Sequence, residues 1–157
     1  MYYIVWKNDR DFIGGIYCDE NIAVKVCNEN NQVLYEDCEE FLPEEIVDLE
    51  DGLLDHSGRT EDIWKCSKIF YGDQYEKLYF LIVDDPAGGD HWLYVCTDKE
   101  DAIGYAKDHF DNEHRCKYNS CDNCKEGFIK TLIEEDVAEI EYYGNIVLCE
   151  IFTVIVQ

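Results

Sequence analysis

Metal-binding side chains crowd one short stretch of this chain: His109, His114, Cys116, Cys121 and Cys124. The run Cys116-x4-Cys121-x2-Cys124 offers three thiolates, and a histidine, His114 in the set taken here, offers a fourth ligand. Zinc takes four such nitrogen and sulfur donors in a tetrahedron, and a loop between a helix and a strand is where a structural site closes. Four protein ligands would leave no open position for water, so a zinc held here would be structural. Without a metal, the same residues are ordinary core and surface cysteines of an Asn/Asp-rich loop. A redox role for Cys121 and Cys124 needs the first thiol at a helix N-terminus with its pKa lowered, and Asp122 and the nearby acids work against that.

Nucleophilic chemistry needs a histidine beside a hydroxyl or thiol, and the chain offers His56 next to Ser57, and His91 after Gly88-Gly89-Asp90. Neither lies in a recognisable nucleophile motif. In the loop Asp85-Pro86-Ala87-Gly88-Gly89-Asp90-His91-Trp92 the glycines, His91 and Trp92 can line a pocket. The plainer reading is a hairpin turn followed by a core tryptophan. Carboxylate pairs for glycoside or divalent-metal chemistry arise by chance in so acidic a chain. There is no phosphate loop, dinucleotide glycine motif or HExxH. The expectation is therefore a protein that is not an enzyme; a small enzyme using the His91 loop or the Cys/His cluster, or a zinc-stabilised interaction protein, is the alternative.

Charge is the larger signal. Asp and Glu number 36 against 13 Lys and Arg, a net charge of -23 at pH 7. Such a surface repels itself and weakens the compact state. It disfavours direct binding to nucleic acid or an anionic membrane, which select basic patches, and it favours a basic partner. Solubility alone is the plain alternative. The segment Glu36 to Asp62 carries twelve acids against the single base Arg59. A second acidic stretch holds Glu134, Glu135, Asp136, Glu139 and Glu141. Carboxylates on successive turns of a helix stand about 5 to 6 Å apart, close to the interval between phosphates along a nucleic-acid strand. A face so built imitates a phosphate backbone. Residues Glu39, Glu40, Glu44, Glu45, Asp48, Glu50 and Asp51 are the expected contact face.

In its size, single-domain makeup, thiol-bearing cysteines and acidity over the whole chain, the sequence resembles the small acidic inhibitors of phages and mobile elements, the DNA-mimic class of anti-restriction and anti-CRISPR proteins. The resemblance implies occlusion of a nucleic-acid site on a basic partner such as a host defence nuclease. It transfers no residues.

The elements that must position these groups are read from the pattern of the 157 residues, which fit one acidic α+β domain over 1–157. Hydrophobic residues make up 46% and aromatics 14%, enough for a globular core and too rich for a disordered tail. No apolar run approaches the roughly 18 residues of a membrane span, and the charged Lys7 to Asp11 following Met1 to Trp6 is unlike a signal peptide. The expected location is the cytoplasm, with the nine cysteines as reduced thiols or metal ligands.

Tyr2 to Trp6 and Phe12 to Cys18 read as a hairpin with a bulge or close backbone approach at Gly14-Gly15. Asp19 then caps a helix whose buried face is Ile22, Ala23, Val26 and Cys27, ending at an Asn-rich break over Asn28 to Asn31. Tyr79 to Val83, Gly88-Gly89, Leu93 to Cys96 and a helix from Thr97-Asp98 with Ala102, Ile103, Tyr105 and Ala106 repeat that order. The match is either two degenerate ββα units or a chance repeat of common turn and cap residues. Pro43 with Glu44 and Glu45 suits a helix start, with Ile46, Val47, Leu49, Leu53 and Leu54 as its apolar stripe. Ile63 to Phe70 and Lys77 to Val83 read as strands about the turn Tyr71-Gly72-Asp73. Val137 to Tyr142 and Ile146 to Val156 form a hairpin about Tyr143-Gly144-Asn145, its last strand apolar enough to lie inside a sheet. The expected fold is α+β, a mainly antiparallel sheet with two to four helices.

Overall fold

The computed structural model describes residues 1–7, 13–34, 47–49, 53–57, 64–85, 87–88, 90–115 and 122–157. In chain order the elements are β1 (Tyr2–Trp6), β2 (Ile13–Tyr17), α1 (Glu20–Leu34), β3 (Val47–Leu49), β4 (Leu53–Ser57), β5 (Lys65–Ile69), β6 (Lys77–Asp85), β7 (Asp90–Cys96), α2 (Lys99–Glu113), α3 (Asp122–Glu135), β8 (Val137–Tyr142) and β9 (Asn145–Ile155). One sheet has the order β2-β1-β5-β3 and the other β4-β7-β6-β9-β8. The pairings β1–β2, β1–β5, β4–β7, β6–β7 and β8–β9 are antiparallel and β3–β5 is parallel, so the fold is α+β and mainly antiparallel, with two sheets where one was expected. The chain divides into two compact units, Met1–Gly52 with Thr60–Lys77 and Val154–Gln157, and Leu53–Arg59 with Leu78–Thr153.

In the first unit the two glycines explain the hairpin. Val5 pairs with Gly15 and Trp6 with Ile13, so the register slips at Gly14. A Cβ at Gly14 would stand 2.9 Å from the Trp64 ring, and Gly15 has φ +141°. Only a residue without a side chain fits either requirement. Asp19 then caps α1, its Oδ1 accepting from the backbone N–H of Asn21 at 2.8 Å and of Ile22 at 3.3 Å. Ala23 and Cys27 are buried with Val5, Tyr17 and Cys66, and Val26 and Trp64 pack against them. Ile22, expected on the same face, is exposed.

The helix also runs on through the Asn-rich break. Asn31 is buried, its amide donating to the Trp64 carbonyl at 3.1 Å and its Oδ1 accepting the Trp64 N–H at 2.8 Å. The side chain pairs with the strand-side backbone as another strand would, so the helix gains from the residue whose type argues against it.

The second unit repeats the order. β6 and β7 pair from Tyr79↔Cys96 to Asp85↔Asp90, and α2 follows, capped by Asp98, whose Oδ1 accepts the Asp101 N–H at 2.8 Å. The ββα order read twice in the sequence is thus present twice, once in each unit. Phe80, Leu81, Ile82 and Val83 are all buried, as befits a strand covered on both faces. Ala102, Ile103, Ala106 and Phe110 of α2 pack with Phe128 and Leu132 of α3 over Val147, Cys149 and Ile151 of β9. The expected hairpin pairs Val137↔Glu150 through Tyr142↔Asn145, and β9 lies inside its sheet. Tyr143 (φ 46°) and Gly144 (φ 83°) both take the left-handed conformation of a type I′ turn.

The sequence reading fails over Val47–Leu49 and Leu53–Ser57. Over the described part of the expected Pro43 helix, Val47–Leu49 is β3 and Leu53–Ser57 is β4. β3 adds in parallel to β5 and β4 antiparallel to β7, each at the end of its sheet. A short apolar run fits the strand and helix periods equally, and pairing to an open sheet edge decides it. β5 and β6 are strands as expected, in different sheets, so Tyr71-Gly72-Asp73 is not a hairpin turn. Among the described residues no helix is long and apolar enough to cross a membrane.

Candidate functional site

The first acidic face lies largely beyond description. Glu39, Glu40, Glu44, Glu45, Glu50 and Asp51 are outside the described residues. Asp48 is the middle residue of β3, at the register position of Lys68. Strand period 2, not helix period 3.6, governs its neighbours, so it is not one step of a helical row of carboxylates.

The second acidic stretch is described throughout and takes a different form from the one expected. Glu134 and Glu135 end α3, Asp136 follows with φ 61°, and Glu139 and Glu141 belong to β8. Along β8 Ala138 and Ile140 are buried and Glu139 and Glu141 are exposed. Carboxylates two residues apart on one strand face are about 6.8 Å apart, again a phosphate-like interval. Lys99 fixes the junction, pairing with Asp136 and donating to the Ile133 carbonyl at 3.1 Å. Among the described residues no cation pairs with Glu134, Glu135, Glu139 or Glu141.

Beside these carboxylates a cavity of about 460 Å³ opens between the end of α2, one side of α3 along its length, and β8. Lys125 holds the helices together here, donating to both carboxylate oxygens of Asp111 at 2.6 and 2.7 Å. The Phe110 and Phe128 rings pack 5.0 Å apart, and the His114 ring stacks on Phe110 at 4.4 Å with planes 15° apart. The Arg115 N–H bonds the Glu141 carbonyl at 3.0 Å, tying the end of α2 to β8. His114 and Cys124 line the cavity together with Glu135, Glu139 and Glu141. His114 is 9% exposed, and its two ring nitrogens are buried without a hydrogen-bond partner. Buried polar groups are nearly always paired, so this side chain needs a reason.

Of the expected metal ligands, the structure brings His114 and Cys124 to one cavity, and Cys116 and Cys121 lie outside the described residues. Among the described residues no group of three His, Cys, Asp or Glu side chains is arranged to hold a metal ion. Cys124 sits on α3, where an Asn/Asp-rich loop was expected; Phe128 and Leu132, four apart and both buried, carry the helical signal that reading passed over. His109 is placed elsewhere, its Nε2 hydrogen-bonded to the Tyr94 hydroxyl at 2.8 Å and its ring 4.8 Å from that of Trp92. Burial pushes the Tyr94 hydroxyl up to about 12, so it keeps its proton at neutral pH.

His91 faces a carboxylate. Its Nδ1 lies 3.9 Å from Asp84 Oδ1, and the sheet register aligns Asp84 of β6, His91 of β7 and Ser57 of β4 in one row. The loop before it turns as the plainer reading has it, Asp85 Oδ1 accepting from the backbone N–H groups of Ala87 and Gly88, and Trp92 packs on the core.

Comparison with known proteins finds no matching family model, no matching curated protein and no matching solved structure.

Proposed function

We propose that this chain is a non-enzymatic binding module that presents a carboxylate surface to a basic, nucleic-acid-binding protein, such as a host defence nuclease, and occludes its nucleic-acid site. The observation that carries the reading is where the acids stand. Glu113 ends α2, Glu134 and Glu135 end α3, and none of the helices among the described residues has a basic residue in its last turn. Negative charge at a helix C-terminus opposes the dipole and costs about 0.3 to 1 kcal/mol per group. Solubility needs no such placement, since acids at N-termini or in loops serve it without the cost. Glu139 and Glu141 continue the surface along β8 at a phosphate-like spacing.

The test is a pull-down of partners at low salt with the purified protein, repeated with excess duplex DNA and then at high salt. Recovery of a nucleic-acid-binding protein that DNA displaces supports occlusion. If DNA leaves every recovered partner in place, the reading fails.

A further inference from the structure

We propose that the outer face of the β8–β9 hairpin, with the tyrosine at its turn, docks a protein surface that sets lysines and arginines around an apolar centre; the proposal rests on the acidic-module reading and gives it an anchor. Strand pairing puts three rungs on that face: Val137 with Glu150, Glu139 with Leu148 and Glu141 with Ile146. The alternate rungs, Ala138 with Cys149 and Ile140 with Val147, are buried in the core with residues of α2 and α3. On the outer face Glu139, Glu141 and Glu150 are exposed, Ile146 is 47% exposed and Leu148 is half-buried. Apolar side chains and carboxylates thus alternate on one surface.

Tyr143 is the observation that charge does not explain. It takes the first central position of the turn with φ 46°, where glycine, asparagine or aspartate is favoured. Its ring meets that of Tyr142, centroids 5.1 Å and planes 66° apart, and the residue is still 75% exposed. The fold therefore bears a backbone cost for an aromatic side chain that it hardly buries. Solubility is no reason for it either, since asparagine serves both the turn and the solvent better. A rigid, amphipathic ring held out at a hairpin tip is the kind of group that anchors a protein contact, and Ile146 across the turn enlarges the apolar area.

Charge decides the occupant. Among the described residues no cation pairs with Glu139, Glu141 or Glu150. A second copy of the chain would set these glutamates against their own kind, on two molecules each of net charge -23. Nucleic acid and an anionic membrane would bring phosphates to the same carboxylates. A neutral apolar surface would cover the carboxylates without pairing them, which is costly. A basic surface pairs them, its apolar centre covers Ile146 and Leu148, and a guanidinium stacks on the Tyr143 ring.

The experiment follows the amide spectrum of the full chain by NMR while a short capped peptide alternating arginine and leucine is titrated in. Two control peptides replace leucine by serine, or arginine by glutamate. Saturable shifts centred on Tyr143, Ile146 and Leu148, at roughly millimolar Kd, are the expected result. They should weaken about tenfold with the arginine–serine peptide and in Tyr143→Asn, and vanish with the glutamate–leucine peptide. Tyr143→Asn removes a bulky residue from the left-handed region, so that variant keeps its fold, which its amide spectrum verifies. Shifts spread over the acidic residues at large or centred elsewhere, an equal response to the arginine–serine peptide, undiminished binding by Tyr143→Asn, or no binding at all overturns the proposal. Failure here with a DNA-displaced partner still recovered leaves the acidic module standing without this anchor; peptide binding on this face with no such partner removes the occlusion of a nucleic-acid site and keeps the docking face.

Discussion

Single side chains in this protein do work their type does not announce. Asn31 supplies both a donor and an acceptor to the backbone of Trp64, so a nonpolar replacement strands a buried N–H and a buried carbonyl at once. Asn31→Leu is expected to cost about 1 to 3 kcal/mol, read from the urea midpoint at constant slope. The thiols make a second case. Burial pushes Cys27, Cys96 and Cys149 up to about 12 and Cys66 up to about 11, from 9.0. The fold therefore holds them protonated while the unfolded chain releases its protons above pH 9. Their contribution is complete below pH 9 and is lost as pH rises from 9 towards 12, so the urea midpoint should fall over that interval. Alkylation at pH 8 followed by mass spectrometry should mark exposed Cys18 within minutes and spare these four until the protein is unfolded. Rapid labelling of Cys27 or Cys149 in the native protein would contradict the packing.

At the scale of elements, what was legible in the sequence is what local chemistry decides. Asp19 and Asp98 announce their helices, and Gly14 and Gly15 their close approach, because a cap or a missing Cβ acts within a few residues. Tyr143-Gly144 announces its turn for the same reason. Two of the errors sit where a distant partner decides. Trp64 keeps α1 helical past Asn28, and the edges of β5 and β7 draw Val47–Leu49 and Leu53–Ser57 into strands. The candidate cavity is half legible: His114 and Cys124 stand out by type and Val137 to Tyr142 by its strand pattern, but nothing local says that this strand lies beside the two helices. The β8–β9 turn offers a direct check. Its first position requires φ 46° of a tyrosine, which Asn tolerates far better, so Tyr143→Asn should raise stability by about 0.5 to 1 kcal/mol. For a chain of this length that is roughly 2 to 4 °C in Tm. Gly144→Val, at φ 83°, should lower it by more.

For the whole molecule the question is whether the acid is placed for folding or in spite of it, and charge reversal at one helix end can separate the two. With a net charge of -23, self-repulsion destabilises the fold, and salt that screens it should move the urea midpoint upward between low and high ionic strength with the slope unchanged. Glu134 adds a local cost at the end of α3. Glu134→Lys therefore turns an unfavourable dipole interaction into a favourable one and should stabilise the protein by about 0.5 to 2 kcal/mol, twice the single-group magnitude. If the carboxylate surface is a contact face, the same substitution slows association with the basic partner, most strongly at low salt where steering is unscreened. A variant that folds better and associates more slowly is the expected outcome, measured by urea denaturation and by association rate at two salt concentrations. A variant that folds better and associates at the wild-type rate would remove Glu134 from the contact face and return its charge to solubility alone.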